Sequence, residues 1–506
     1  MGAITGRRSS QASKGPTPTN ESDESLRILF VSAEVAPYAK VGGLADVAGS
    51  LPKALHALGH DVRVIMPCYG GIDRQRFELG QALERFNVHL PDRDEPAGLL
   101  RAEMDGGAPV YFVESERFFA RDAIYGHPDD GERFLFFCRA VLEAVRRMGW
   151  SPDVLHSNDW HTGIIPSLLR LTSEGDRFFA GTATVLTIHN LAYQGIFDQE
   201  LVAAMGLDEW SIPPVGGRPG LVNLMSLGIL NADMVNTVSP TYAKEILTPE
   251  YGEGLDSLLR HRQTRLVGIL NGLDTDVLDP ATDPYLAARY DVKNPDRKTQ
   301  CKLALQRESG MPADPAVPLV GVVSRLADQK GFDLLEPMVE SLLEDVGVQW
   351  VLLGTGDKHY EDVFRQVANR YPGQMAAFLA FDAVLAQRIY GGADMFLMPS
   401  RYEPCGLGQM IAMRYGTVPV VHRTGGLADT VFDYQPDTGV GNGFSFDNYT
   451  VHACLAAVVR AVEAFRRPDE WRKLQRIGMA ADFSWSASAR HYVELYRRAR
   501  QQRLED

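Results

Sequence analysis

No apolar run in this sequence approaches the roughly 18 residues that carry a helix across a bilayer, which argues against a membrane span. Paired cysteines are missing too. Cys68, Cys138, Cys301, Cys405 and Cys454 are odd in number and scattered, with no C-x-x-C, so they read as reduced thiols. Neither a disulfide frame nor a zinc site fits them. Excess positive charge is lacking: the net charge is -14, without the basic stripe of a nucleic-acid binder. The start has no apolar signal core. Met1-Gly2 suggests myristoylation, but position six is Gly6 where Ser or Thr is required. Arg7-Arg8-Ser9-Ser10 has a transit-peptide flavour that Glu21, Asp23 and Glu24 oppose.

What remains is a long chain of soluble, globular composition, 45% hydrophobic and 23% charged over 506 residues, for which two large domains are expected. Residues 1–25 are rich in Ser, Thr and Pro and are expected to form a disordered tail. Order is expected from a buried strand, Leu26–Ser32. A loop, Ala33–Gly43, follows it. Leu44, Val47, Ala48, Leu51, Leu55 and Leu58 then recur at helical spacing, with Pro52 expected to kink or restart the helix and Gly59 to end it. Further strands are predicted at Asp61–Met66, Pro109–Glu114, Val154–Ser157, Ala183–His189 and Met234–Ser239, with Val267–Asp274 running into a linker. A second series is predicted at Val317–Ser324, Trp350–Leu353, Phe378–Ala380, Met395–Met398 and Val418–Val421, and helices from Val451 to Asp506. Strands alternating with helices imply an α/β chain of two Rossmann-like domains facing one cleft.

Chemistry is expected at the carboxyl ends of parallel strands. Glu403 lies in the loop after Met395–Met398. Gly425-Gly426, after Val418–Val421, could bring bare N–H groups to a phosphate. Gly425-Gly426-Leu427-Ala428-Asp429 repeats Gly42-Gly43-Leu44-Ala45-Asp46, as if two halves bring one device to one ligand. Lys40 before Gly42-Gly43 reads by itself as an ordinary glycine-rich turn more readily than as a diphosphate grip. The echo at Arg423–Gly426, together with the family motif named below, turns that reading toward phosphate. Arg325 and Lys330, in Ser-Arg-Leu-Ala-Asp-Gln-Lys-Gly, fit either a charged loop or a pair of cations for a departing diphosphate.

Several stretches together resemble a known family. They are Lys40-Val-Gly-Gly-Leu, Asn158-Asp-Trp-His161, Thr187-Ile-His-Asn-Leu-Ala-Tyr-Gln-Gly195, Ser324-Arg-Leu326 with Gln329-Lys-Gly331, Glu403-Pro-Cys-Gly-Leu407 and the second Gly-Gly-Leu. In order and content the chain from Leu26 to about Tyr496 is similar to bacterial glycogen synthase and plant starch synthase. The resemblance implies a retaining glucosyltransferase of GT-B fold that lengthens an α-1,4-glucan, usually from ADP-glucose, without metal or other cofactor. It implies domains at 26–270 (acceptor side) and 271–482 (nucleotide-sugar side), with 483–506 crossing back to the first. It points to a bacterial-type cytoplasmic enzyme ahead of a plastid one.

Residue roles follow from the same resemblance. Glu403 would orient or stabilise the transferred sugar without acting as a covalent nucleophile. His189 would serve as a neutral hydrogen-bonder, although a lone strand-end histidine is more often structural. Arg325 and Lys330 would hold the leaving diphosphate. Lys40, Gly42, Gly43, Asn271, Phe381, Cys405, Gly406, Leu407, Thr424, Gly425 and Gly426 would line the donor, with Phe381 replacing a usual Tyr beneath the base. Asp46, Asp159, Trp160 and Asn190 would face the acceptor, Trp160 offering either a flat face to a glucan ring or a packed core residue. Gly408 stands where Thr is common. Ile411 stands where many other GT-B enzymes carry Glu. Cys405 beside an acid reads as packing rather than as a nucleophile. The rival readings are a UDP-glucose-dependent transferase of the sucrose or trehalose pathway and a non-catalytic glycan- or nucleotide-binding protein.

Overall fold

A computed structural model of the chain describes residues 24–90, 93–172, 176–198, 200–201 and 220–505. The expected tail thus lies outside the described residues except for its last two positions. Among the described residues, two sheets carry the fold. The first is built from β1 (Arg27–Val31), β2 (Asp61–Pro67), β3 (Gly80–His89), β4 (Asp94–Glu103), β5 (Pro109–Glu114), β6 (Val154–Asn158) and β7 (Ala183–Ile188). After a small two-stranded antiparallel sheet of β8 (Ile196–Asp198) and β9 (Leu221–Asn223), it is completed by β10 (Met234–Thr237) and β11 (Leu266–Gly268). Its order is β11-β10-β7-β6-β1-β2-β5-β4-β3. β4 alone runs antiparallel to its neighbours. The second sheet joins β12 (Leu319–Val323), β13 (Gln349–Leu353), β14 (Met375–Phe378), β15 (Met395–Met398), β16 (Val418–His422) and β17 (Phe444–Phe446). Its order is β14-β13-β12-β15-β16-β17, all parallel.

The central strands are continuous apolar runs because helices cover both faces of a parallel sheet. β6, β7, β13 and β16 are buried along their whole length. Each sheet has its own core. A third apolar cluster joins the halves, setting Leu186, Ile188 and Tyr242 with Leu273, Cys405 and Met410. The chain crosses between the halves at two adjacent points, where the Leu273 N–H donates to Phe483 O at 2.7 Å. Gly272 is required there, since a Cβ would fall 2.6 Å from Trp485 Cα. The last helix, Trp485–Glu505, packs on the first sheet. Its Tyr496 hydroxyl meets His156 Nδ1 at 2.8 Å, and its Tyr492 hydroxyl accepts from Asn236 at 3.0 Å. Among the described residues no helix is long and apolar enough to cross a membrane.

Two expectations need correction, and some strands were not expected. The helix Gly43–Ala57 runs through Pro52 without restarting. Pro52 is itself buried, with Leu51 and Leu55 beside it at 0% exposure, so packing outweighs the lost backbone bond. The strand expected at Phe378–Ala380 ends at Phe378, because pairing with β13 aligns Trp350 with Met375 and Leu353 with Phe378. The antiparallel β3–β4 extension and β17 were not foreseen. β3 is largely exposed, with only Phe86 and Val88 buried, so it lacks the buried-strand signature.

Candidate functional site

Each sheet has a central parallel strand at which the order reverses, and many of the expected residues gather at these two points. In the first sheet, β1 has β2 on one side and β6 on the other. Glu34, Lys40 and Gly42 lie in the loop after β1, while Asn158 ends β6 and Asp159 and Trp160 open the short helix that follows it. In the second, β12 lies between β13 and β15. The loops after β12 and β15 carry Arg325 and Lys330, and Glu403. A crevice outside the strands' carboxyl ends at such a reversal is where α/β sheets bind ligands.

On the second sheet, Glu403 is 6% exposed, and its Oε2 accepts from Lys330 Nζ at 2.6 Å and from Ser400 Oγ at 3.0 Å. Such a pair is retained at the cost of desolvation and gives both groups fixed geometry. The Arg401 N–H donates to Gln329 O at 2.9 Å, tying the Lys330 turn to the Glu403 loop. Arg325 reaches Gln329 Oε1 at 3.2 Å. A 140 Å³ cavity runs past Lys330, Ser400, Glu403 and Gly406–Gly408. Cys405 is buried behind it, and burial pushes its thiol up to about 12, with Glu403 and Asp429 adding to the effect. A thiolate is therefore unavailable near neutral pH, in line with a packing role. Phe381 is 90% exposed after β14, presenting an uncovered ring. Asn271 is buried at the crossing, and its Oδ1 has no partner.

On the first sheet, the His189 ring is anchored by Asn158. Asn158 Nδ2 donates to Val31 O at 3.0 Å, so Asn158 Oδ1 must accept from His189 Nε2 at 2.9 Å. That fixes the proton on Nε2 and leaves Nδ1 as an acceptor. Burial lowers the His189 pKa to about 3, keeping the ring neutral. Asp159, at φ +54°, accepts from the His189 N–H at 2.8 Å. Burial pushes its carboxyl up to about 7 against the N–H groups of His189 and Asn190, helped by nearby Glu34. Asn190 Oδ1 closes a turn on the Ala192 N–H at 3.1 Å.

Several expected ligand groups already have protein partners. Lys40 Nζ pairs with Asp46 Oδ1 at 2.6 Å rather than with any group of the second sheet. The N–H groups of Val41 and Gly42 donate to Glu34 Oε2 at 2.6 and 2.9 Å, and the Tyr125 hydroxyl donates to Glu34 Oε1 at 2.6 Å. The Gly425 N–H and the Thr424 hydroxyl donate to Glu245 at 3.0 and 2.9 Å, and the Gly426 N–H donates to Glu403 O at 3.1 Å. The expectation of bare glycine amides is corrected at Gly42, Gly425 and Gly426: neighbouring oxygens satisfy them, as partly buried donors require. Trp160 is likewise packed rather than offered. His161 stacks on it at 4.0 Å, and a Cβ at Gly195 would lie 2.4 Å from its ring. Glu34, Tyr125, Ser400 and Glu245 were missed by sequence reasoning. Glu34 follows the end of β1 as Glu403 follows β15, and that rule could have found it. Nothing in sequence marks Glu245, whose contacts span 179 and 180 positions.

The described starch synthase catalytic domain family matches residues 27–261, and the group 1 glycosyl transferases family matches residues 309–476. Glycogen synthase of Moorella thermoacetica is 51% identical over 482 residues, covering 94% of this chain and 98% of the relative. The chain belongs to the glycogen and starch synthase family. It is therefore a glycosyltransferase, with the two-domain α/β architecture of the GT-B fold. Glycogen synthase of Thermotoga maritima is 45% identical, covering 94% and 99% of the two chains. The solved catalytic domain of starch synthase IV from Arabidopsis thaliana, bound to ADP and acarbose, superposes with a TM-score of 0.88 at 36% identity, covering 94% of this chain and all of that one. Sucrose-phosphate synthase from Thermosynechococcus elongatus shares the fold alone, at 19% identity, 93% and 98% coverage and TM-score 0.58.

Proposed function

We propose that this glycosyltransferase moves glucose from ADP-glucose to the non-reducing end of an α-1,4-glucan with retention at the anomeric carbon. The Lys330–Glu403 pair at the second sheet's reversal, with a buried carboxylate and a half-buried cation, carries the reading. It sets a cation and a carboxylate together where a sugar diphosphate would lie. Relatives of nearly the same length are named glycogen synthase, and the starch synthase IV structure holds ADP with acarbose, which supports this donor and this class of acceptor.

In this mechanism Arg325 and Lys330 stabilise the departing diphosphate as the bond from C1 to the phosphate oxygen breaks. That stabilisation grows toward the transition state, which is what raises kcat. The acceptor hydroxyl attacks C1 from the same face, and its proton passes to the leaving phosphate oxygen. Glu403 shares Lys330 with the phosphate and orients the sugar. Neutral His189, with Nδ1 free to accept, holds a sugar hydroxyl. Lys40 leaves Asp46 to meet the diphosphate from the first domain, and Phe381 stacks on the base. Asp46, Asp159 and Asn190 face the glucan. Domain limits at 26–270 and 271–482, with 483–506 returning, and a cytoplasmic site of action belong to the same proposal.

The test is purified protein with ADP-glucose or UDP-glucose and glycogen, following nucleoside diphosphate release and labelled glucose in the polymer. ADP release that requires glycogen is expected. Preference for UDP-glucose with a small sugar phosphate acceptor would favour a sucrose- or trehalose-type transferase instead. Binding without release would mean a non-catalytic protein.

A further inference from the structure

Two carboxylates cross between the halves in opposite senses. Glu245, the last residue of the helix Pro240–Glu245, accepts from Thr424 Oγ1 at 2.9 Å and from the Gly425 N–H at 3.0 Å (Oε1) and 3.2 Å (Oε2). In return Asp429, in the helix Gly425–Thr430, accepts from the Thr241 N–H at 2.8 Å and its hydroxyl at 2.7 Å. Both contacts fasten the same interface. Only one of them continues into the reacting site.

From Glu245 the path runs through the Gly425-Gly426 turn to Glu403. Gly425 has φ +45°, and a Cβ there would fall 1.9 Å from Glu403 O. The Gly426 N–H donates to that same oxygen at 3.1 Å. Glu245 thus grips one side of the turn whose other side grips the Glu403 backbone. The Glu403 carboxylate in turn holds Lys330 at 2.6 Å. Bonds from N–H and O–H to a carboxylate are shorter and stronger than neutral ones. Losing this one would leave two partly buried donors unpartnered and the turn free to shift.

We propose that Glu245 is a positioning residue: a first-domain carboxylate that sets the Gly425-Gly426 turn and, through it, the orientation of Glu403 on the second domain. The placement of Glu403 is thereby made to depend on the docking of the two halves. Asp429 lies farther along the same helix, and its side chain bonds Thr241 and not the Gly425-Gly426 turn, so its expected share is in the interface. The proposal rests on Glu403 as the carboxylate of the reaction.

The experiment compares Glu245→Ala, Glu245→Asp, Glu245→Gln, Asp429→Ala and Glu403→Gln with the wild type. It measures kcat and the KM for ADP-glucose at saturating glycogen, with melting temperatures alongside. Glu245→Ala is expected to lower kcat by about tenfold or more with KM changed less than about threefold. Glu245→Gln, whose carbonyl still accepts both bonds, is expected to recover to within about threefold of wild type. Asp429→Ala is expected to lower the melting temperature while leaving kcat within about twofold. A Glu245→Ala enzyme losing less than about fivefold overturns the proposal, as does an equal kcat loss in Asp429→Ala or a Glu245→Gln no better than Ala. Should Glu245→Ala not fold, Glu245→Asp decides: its charge is kept but its reach is short, so a kcat loss under about threefold overturns the proposal. An active Glu403→Gln would sink the underlying site assignment. A dead Glu403→Gln beside a fully active Glu245→Ala would sink only the positioning role.

Discussion

Glu403 and Cys405 sit two positions apart, yet their surroundings assign them opposite roles. The Glu403 carboxylate is held by Lys330 and Ser400 and faces a cavity, while the Cys405 thiol is pushed up to about 12 by burial. Glu403→Gln is expected to lose far more than tenfold in kcat, about 1.4 kcal/mol being the smallest loss consistent with its role. Its melting temperature should change little, since Lys330 keeps 19% side-chain exposure and can be hydrated when unpaired. Cys405→Ser should stay within about fivefold of wild-type kcat, as nothing in the chemistry uses sulfur. Asp159 gives a pH signature. Its folded-state pKa of about 7 lies above the ordinary 3.8, so its contribution to stability is fully present below about pH 4 and lost as pH rises through 7. Asp159→Asn should remove that slope, and thermal melts between pH 4 and 8 would read it. A slope unchanged in the variant would mean another group is responsible.

At the level of elements, the strand-to-helix loops were legible because their signals are local. A buried apolar run followed by polar residues and glycine announces a strand end wherever it falls, and Met395–Met398 appears in the structure with its expected bounds. The Gly42 and Gly425 repeats were visible as well, but their function was read too simply. Whether a glycine is present for its bare N–H or for its missing Cβ depends on what lies opposite, and at Gly425 the N–H is taken by Glu245 while the missing Cβ makes room for Glu403 O. Gly425→Ala would place a Cβ 1.9 Å from Glu403 O at a φ of +45°. It should therefore lower kcat by at least about tenfold, beyond any general strain of roughly 1–3 kcal/mol. Steady-state kinetics on a folded Gly425→Ala protein would test this, and near-normal turnover would show that the turn does not constrain Glu403. β3 and β17 escaped notice for the complementary reason. An exposed edge strand and a three-residue strand carry too little apolar pattern to stand out.

For the whole molecule, the distribution of cations sets the expectation. Lys40 rests on Asp46 of the first half, while Lys330 rests on Glu403 of the second. For one diphosphate to take both, the halves are expected to approach, bending at the paired crossings near Leu273 and Phe483. ADP or ADP-glucose should therefore reduce the radius of gyration in solution scattering. Lys40→Ala should weaken that change, and Arg325→Ala or Lys330→Ala should abolish it by removing the first grip. An unchanged scattering curve at saturating ligand, in an active preparation, would defeat the closure argument.

The sequence by itself determined the α/β class, the two series of strands, the loops that carry Lys40, His189, Arg325, Lys330 and Glu403, and the resemblance that names their roles. All of these are written in short windows, where apolar period and turn residues act on neighbours a few positions away. Only the tertiary structure decided which of those groups are spoken for. That Glu34 holds the Gly42 N–H and Glu245 the Gly425 N–H, that Trp160 lies packed on His161, and that His189 is a half-buried neutral ring follow from groups brought together across loops and domains. Hydrogen bonding and desolvation act over a few ångströms of space, and spacing along the chain does not reveal which residues share that space.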